Sequence, residues 1–168
     1  MPVDMFLKLD PIKGESLDSK HKDQIDIQSY SFGASQGGGW HSGTGGGKGK
    51  VDIQDMHFTH YVDAASSGLF QAATQGLHID KAVFVVRKAG GKDALEYYKI
   101  TLEDVLVSSV QCSSHSGDER LMESFDCESV QVRAAKPEPP VPYPVQEAAV
   151  EVTLERSLDR EPDDEDGV

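Results

Sequence analysis

Cysteine, basic side chains and long apolar runs are scarce in this sequence, and each scarcity argues against a class of protein. Two cysteines in 168 residues are too few for a disulfide framework. Sixteen Lys and Arg stand against 29 Asp and Glu, and the formal net charge of −13 argues against a nucleic-acid binder, because phosphate contacts need clustered cations. No apolar run approaches the ~20 residues that span a bilayer, so we expect no membrane insertion. The first residues lack the basic and apolar regions of a secretory signal peptide.

The two cysteines, Cys112 and Cys127, do not form a Cys-x-x-Cys pair. Their small number favours two reduced thiols in a protein that folds in a reducing cytoplasm. A cross-strand disulfide stays open as an alternative, since both residues could flank one hairpin.

The acidic charge is concentrated near the end of the chain. Residues 1–136 carry a net charge of −5, residues 137–168 carry −8, and six of the eight prolines follow Lys136. A Pro-rich stretch predicts a semi-rigid extended linker, and an acidic run predicts disorder. The chain is therefore predicted to divide into a folded domain over 1–136, a Pro-rich linker over 137–146, a possible last strand over 147–158 and an acidic disordered tail over 159–168.

Alternation of apolar and polar side chains predicts many short strands separated by turns. After Ile53 the apolar phase slips by one position to Met56, which favours a β-bulge near Asp55. Many short strands with glycine turns and a single helix favour an all-β barrel or sandwich.

The one convincing helix is predicted over residues 66–76. Ser66 or Ser67 can cap its start, and Gly76 can end it. Its apolar face is predicted to hold Leu69, Phe70 and Ala73.

A glycine-rich stretch runs from Gly33 to Gly49 and holds nine of the sixteen glycines. Loops longer than ~12–15 residues in a compact domain are usually functional or mobile. A phosphate-binding P-loop is not supported, because Gly47-Lys48 is followed by Gly49 instead of Ser or Thr, and a predicted strand follows instead of a helix. We expect a flexible loop that lies along another subunit or becomes ordered on assembly, and no bound cofactor.

No metal centre or catalytic site is predicted. His57 and His60 differ by three positions, so a regular strand places them on opposite faces, and no carboxylate or thiol at a suitable spacing completes a ligand set. All six histidines are expected at the surface or partly packed. The G-x-S-x-G nucleophile elbow is absent, and the paired carboxylates Asp118-Glu119 are expected to be solvated. We therefore predict that the chain is not an enzyme.

A series of segments carries a family resemblance over about residues 1–133. In chain order they are VDMFLKLDPIKGES, QIDIQSYSFGASQGGG, GKGKVDIQDMHFTHYVDAASSGLFQAA, VVRKAGG and YYKITLEDVLVSSV. Their order and spacing resemble the hemolysin-coregulated protein (Hcp) family, the inner-tube protein of the bacterial type VI secretion system.

The resemblance implies a fold and a function. It implies a mainly β chain: an antiparallel barrel of two sheets with one short helix and an extended Gly-rich loop. It also implies a homohexameric ring, stacking of rings into an expelled tube, contacts with contractile sheath and spike proteins, and carriage of small effector proteins in the lumen. A member would be made in the bacterial cytoplasm and secreted through the type VI system without a signal peptide.

Two sets of residues receive roles from the resemblance. Ser31 corresponds to a lumen-facing serine that contacts effectors. The loop that stacks rings or joins subunits is assigned to Gly37, Gly38, Gly39, Trp40, His41, Gly45, Gly46 and Gly47. Two other functions stay open: a tail-tube protein of a phage-like contractile particle, and a small barrel enzyme or ligand-binding module.

Overall fold

A computed structural model describes residues 3–36, 51–88, 94–114, 116–135 and 152–155. The secondary structure of these residues is almost entirely β. Its elements are β1 (Val3–Lys8), β2 (Ile25–Ser31), β3 (Ala34–Gln36), β4 (Val51–Ile53), β5 (Met56–Tyr61), α1 (Ala65–Gln75), β6 (His78–Lys88), β7 (Glu96–Ser113), β8 (Met122–Ala135) and β9 (Val152–Glu155). Among the described residues, no helix has the length and apolarity needed to span a bilayer.

Six strands close into an antiparallel barrel. They are hydrogen-bonded in the order β5-β2-β1-β6-β7-β8, and a further antiparallel pairing between β5 and β8 completes the ring. Three of the described strands lie outside this ring. β9 pairs with Gln131–Ala134 of β8, and β3 and β4 form a separate two-stranded sheet. The predicted mainly β fold, an antiparallel barrel with one short helix, is confirmed, and a second sheet is present. The extended Gly-rich loop predicted with it lies largely outside the described residues.

The barrel interior is filled by alternate residues of each strand, as a period of two requires. Phe58, Phe84 and Phe125 are fully buried at its centre, and the ring of Phe58 lies 5.3 Å from each of the other two ring centroids. Offset and tilted contacts at such distances are favoured by the ring quadrupoles. The aromatic centre therefore joins β5, β6 and β8 across the barrel.

The start of α1 differs from the prediction, and its end agrees. Asp63 Oδ1 accepts a hydrogen bond from the Ala65 N–H at 2.8 Å, so an aspartate before the helix takes the part predicted for a serine. Ser66 Oγ instead accepts from the Asp63 N–H at 3.1 Å. At the other end, Gly76 has φ 62°, a left-handed conformation that favours glycine and stops the helix.

The buried face of α1 was also predicted incorrectly in one position. Ala65, Leu69 and Ala72 are buried, with the spacing of four and three residues that one helical face requires. Phe70 lies off this face and is 60% exposed. Two of these three buried residues are alanines, whose small side chains allow the helix to lie close to the barrel.

The phase slip near Asp55 is a break between strands and not a β-bulge. β4 ends at Ile53 and pairs with β3, whereas β5 begins at Met56 and pairs with β2 and β8. Each strand has its own partner, so the two need not share one alternation. The register shifts among the described strands lie elsewhere, between Ile27 and Ser29 in β2, between Val86 and Arg87 in β6, and between Val107 and Ser109 in β7.

Candidate functional site

The outer surface of four neighbouring strands, β2, β5, β8 and β7, presents small polar side chains in rows. Partners in an antiparallel register point to the same face of a sheet, so the rows follow from the pairing. We call this surface the polar face; it consists of Ser29, Ser31, His57, Thr59, Ser109, Gln111, Ser124 and Asp126.

One row of the polar face contains Ser31, the residue to which the resemblance gave a role. Ser31 is opposite His57, His57 is opposite Asp126, and Asp126 is opposite Ser109. Ser31 is exposed. His57 Nδ1 lies 2.5 Å from Asp126 Oδ1, and Ser109 Oγ donates to Asp126 Oδ2. At one end of this row Ser31 is exposed, and at the other end His57, Asp126 and Ser109 are joined by hydrogen bonds.

The neighbouring row is uncharged. Ser29 is opposite Thr59, their hydroxyl oxygens are 2.5 Å apart, and the row continues through Ser124 to Gln111. Hydroxyl and amide groups both donate and accept hydrogen bonds. The polar face can therefore make many individually weak contacts with the surface of another protein.

The polar face holds Ser, His and Asp, but their connectivity is not that of a nucleophilic triad. In a triad the histidine accepts the proton of the serine, and the aspartate orients the histidine. Here Asp126 stands between Ser109 and His57 and bonds to both. The serine proton has no direct path to the imidazole, so the cluster acts as a surface network.

A second polar cluster lies inside the barrel, and the sequence analysis missed it. His60 is 0% exposed, so the prediction of surface or partly packed histidines is wrong for this residue. The imidazole Nε2 of His60 lies 3.0 Å from Glu123 Oε2, but the geometry of this contact does not meet that of a hydrogen bond. The Nδ1 atom of the same ring lies 3.7 Å from Asp63 Oδ1. The sequence does contain a signal for the inward position of His60, because this residue continues the alternation of the inward residues Met56 and Phe58.

Burial affects the carboxyl group next to this histidine. Removal from water raises the pKa of Asp63, and the hydrogen bond from the Ala65 N–H and the nearby His60 act in the opposite direction. The same carboxylate caps α1, so the barrel interior and the helix are connected through one side chain.

A third cluster covers the outer face of β1 and was also missed. Arg87 is 7% exposed, lies over the Phe6 ring at 4.8 Å, and donates to Asp4 at 3.1 Å and to Asp18 at 2.5 Å. The hydrogen bond from Arg87 lowers the pKa of Asp18 to about 2. His21 is buried and stacks on Phe6 with centroids 4.4 Å apart, so the prediction of a surface or partly packed histidine is wrong here too.

Both cysteines are free, so the alternative of a cross-strand disulfide is wrong. Their registers differ, with Cys112 opposite Glu123 and Cys127 opposite Val107. Burial raises the pKa of the Cys127 thiol, whereas Cys112 is exposed.

The residues predicted for the inter-subunit loop, from Gly37 to Gly47, lie outside the described residues. Their role stays a prediction. The described residues contain no group of three or more His, Cys, Asp or Glu arranged to hold a metal ion.

Comparisons with known proteins agree with one another. The family model "Type VI secretion system effector, Hcp" matches residues 6–136. Protein hcp1 of Pseudomonas aeruginosa is 43% identical over 133 residues, which are 79% of this chain and 82% of that protein. The crystal structure of Hcp1 from Salmonella typhimurium is similar with a TM-score of 0.71 at 33% identity, covering 92% of this chain and 95% of that chain. A type VI secretion system effector from Yersinia pestis gives a TM-score of 0.73 at 27% identity, covering 91% and 100%.

The matched region runs from Phe6 in β1 through the end of β8, so it includes the polar face, the buried His60 cluster and nearly all of the closed barrel. The chain therefore belongs to the Hcp family of the type VI secretion system.

Proposed function

We propose that this chain is the tube subunit of a type VI secretion system, forming hexameric rings that stack into an expelled tube. The observation that carries the proposal is the family match over residues 6–136. That match names the type VI system, and so favours it over the tail tube of a phage-like particle. The role is structural and not enzymatic, which agrees with the connectivity of the Ser109, Asp126 and His57 network.

The closed barrel supports assembly through side chains. Each of its six strands has a hydrogen-bonded neighbour on both sides, so few backbone groups remain to add a strand from another chain. Subunits would then meet through heterologous side-chain surfaces, which close into rings when the rotation between copies allows it. The sheath and spike proteins of the system would contact the outside and the tip of the tube.

The polar face is proposed as the lumen surface that carries small effector proteins, with Ser31 among its contacts. Neutral hydroxyl and amide groups in register give a carrier many weak hydrogen bonds and no deep pocket. The assembled tube would hold its cargo in the cytoplasm and leave the cell with it through the secretion system, without a signal peptide.

The test joins an assembly assay to a cargo assay. Electron microscopy of the purified protein should show six-fold rings, and a protein that stays monomeric at high concentration would contradict the proposal. Ser31→Gln should keep the rings and reduce the amount of co-purifying effector measured by mass spectrometry. Ser19→Gln, an exposed serine outside the polar face, is the matched control. Equal effector retention in both variants would place the cargo contact elsewhere.

A further inference from the structure

One pair of ionisable side chains interrupts the neutral polar face. Hydroxyl and amide groups make up six of its eight members, and the other two are His57 and Asp126. Neutral groups of this kind bond to nearly any protein surface, because they both donate and accept hydrogen bonds. Discrimination between partners is a difference of affinities, and on this face we expect it to come from the His57–Asp126 pair.

The imidazole of His57 is held in one orientation by its bond to Asp126. Its Nδ1 lies 2.5 Å from Asp126 Oδ1, and Ser109 Oγ donates to the other carboxylate oxygen. A carboxylate only accepts hydrogen bonds, so the proton of the first contact belongs to Nδ1. In the neutral ring, Nε2 then keeps its lone pair and is an acceptor. The bond to the carboxylate polarises the ring and strengthens this acceptor.

A β-bulge in β7 supplies the serine that fixes Asp126. The register between β7 and β8 shifts between Val107 and Ser109, so Ser108 is an extra residue in β7. Bulges change the direction of side chains and are frequent beside functional sites. This bulge directs two consecutive serines to carboxylates, because Ser108 Oγ donates to Asp55 Oδ2 at 2.8 Å and Ser109 Oγ donates to Asp126.

A second His–Asp pair on the barrel surface is more exposed. His78 Nδ1 lies 3.1 Å from Asp104 Oδ1, and these side chains are 72% and 58% exposed. The side chains of His57 and Asp126 are 42% and 31% exposed, and Asp126 also accepts the hydrogen bond of Ser109. The less exposed pair acts more strongly on an incoming charge, because water screens it less.

The carboxylates near His57 give this part of the polar face a negative charge. Ser108 Oγ bonds to Asp55 and also donates to the Asp126 carbonyl oxygen at 3.3 Å, so both aspartates lie beside the bulge. His57 supplies at most one positive charge against these two carboxylates. A basic side chain of a partner is therefore attracted, whereas an acidic one is repelled.

We propose that the His57–Asp126 pair is the point at which the polar face selects its cargo, and that it selects effector proteins that present a lysine or arginine side chain. This inference rests on the proposed carrier function and adds to it the chemistry of the cargo. His57 Nε2 accepts the N–H of the basic side chain, and Asp126 balances its charge. Each subunit contributes one weak contact, and these contacts reinforce one another when a cargo protein meets several subunits.

The test compares two short dye-labelled peptides, one of alternating serine and lysine and one with glutamate in place of lysine. Fluorescence anisotropy measures their binding to the assembled protein, and the readout is the ratio of the two dissociation constants. The variants are His57→Lys and Asp126→Asn. The controls, His78→Lys and Asp104→Asn, make the same changes of charge in the more exposed pair outside the polar face. Circular dichroism and electron microscopy first establish that each variant folds and forms rings.

The parent should prefer the lysine peptide. His57→Lys and Asp126→Asn should each reduce this preference about five-fold, as expected for the loss of one partly exposed charged contact. Each control should change it by less than about two-fold. The inference is wrong if each variant has the same ratio as its control, or if the parent prefers the glutamate peptide, and the tube function stands in both cases. If the parent never forms rings, the proposed function itself fails.

Discussion

Removing either partner of the buried His60–Glu123 contact should destabilise the barrel more than removing both. The two residues are opposite each other on β5 and β8, the strand pair that closes the barrel. Their side chains are 0% and 5% exposed. His60→Leu would leave a buried carboxylate next to apolar atoms, whereas the double variant with Glu123→Leu places two leucines in a cross-strand pair.

The magnitudes follow from the cost of a buried unpaired charge. His60→Leu should lower the free energy of unfolding by about 3 kcal/mol, the lower end of what breaking a buried pair costs. Glu123→Leu should cost about 2 kcal/mol, because Asp63 still stands 3.7 Å from the imidazole. The double variant should lose only about 1 kcal/mol, since apolar replacements of such pairs are close to neutral. The coupling energy between the two sites is then about 4 kcal/mol in magnitude.

The assay is urea unfolding followed by far-ultraviolet circular dichroism, at pH 7 and one fixed protein concentration because assembly adds to stability. The matched control is His57→Leu on the same strand. This makes the same substitution on the outer face, where the side chain is 42% exposed, and should cost under about 1 kcal/mol. The reasoning is refuted if His60→Leu costs no more than His57→Leu, or if the two interior substitutions are additive.

Three further predictions concern the covering of β1, one glycine and the thiols. Asp18→Asn should cost about 1 kcal/mol at pH 7 in urea unfolding, a value discounted because the pair with Arg87 is partly exposed. The folded-state pKa of Asp18 is lowered to about 2, so this stabilisation is present above the ordinary pKa of 3.8 and is lost as the pH falls from 4 towards 2. The free energies of unfolding of the parent and of Asp18→Asn should therefore converge at low pH. Gly14→Ala should cost about 1–3 kcal/mol in the same assay, because a Cβ at Gly14 would stand 2.5 Å from the backbone oxygen of Gln24; an unchanged midpoint would show that this turn can shift. A thiol reagent should modify Cys112 alone in the folded protein and both cysteines in denaturant, and fast modification of Cys127 would show that the barrel opens.

The strand alternation and the helix end could be predicted because local chemistry determines them. Gly76 adopts a left-handed conformation that glycine favours, and the inward phenylalanines keep the period of two. The residue that caps the start of α1 could not be predicted as well. Asp63 and Ser66 both have side chains that can cap a helix, and tertiary contacts decide between them. Phe70 was misplaced for a similar reason, since apolarity alone does not say which helical face meets the barrel.

The polar clusters could not be predicted because they depend on contacts between distant parts of the chain. His21 bonds to Glu96, and Arg87 bonds to Asp4 and Asp18. Each of these residues resembles a solvated charge when its neighbours in sequence are considered alone. His60 is the exception, because its phase with Met56 and Phe58 already indicated an inward position. Histidine is intermediate in its tendency to be buried, so the residue type alone does not decide the position.

Under the proposed function, the separation of charge on the barrel suits a subunit that both assembles and carries cargo. The polar face presents hydroxyl and amide groups with a single His57–Asp126 pair, whereas an open cleft beside the start of β1 is lined by several carboxylates. Under the proposed function, a charged lumen would select cargo by sign and hold it tightly, because charge-assisted hydrogen bonds are roughly twice as strong as neutral ones. A neutral lumen holds cargo through weak contacts that are lost quickly when the tube comes apart.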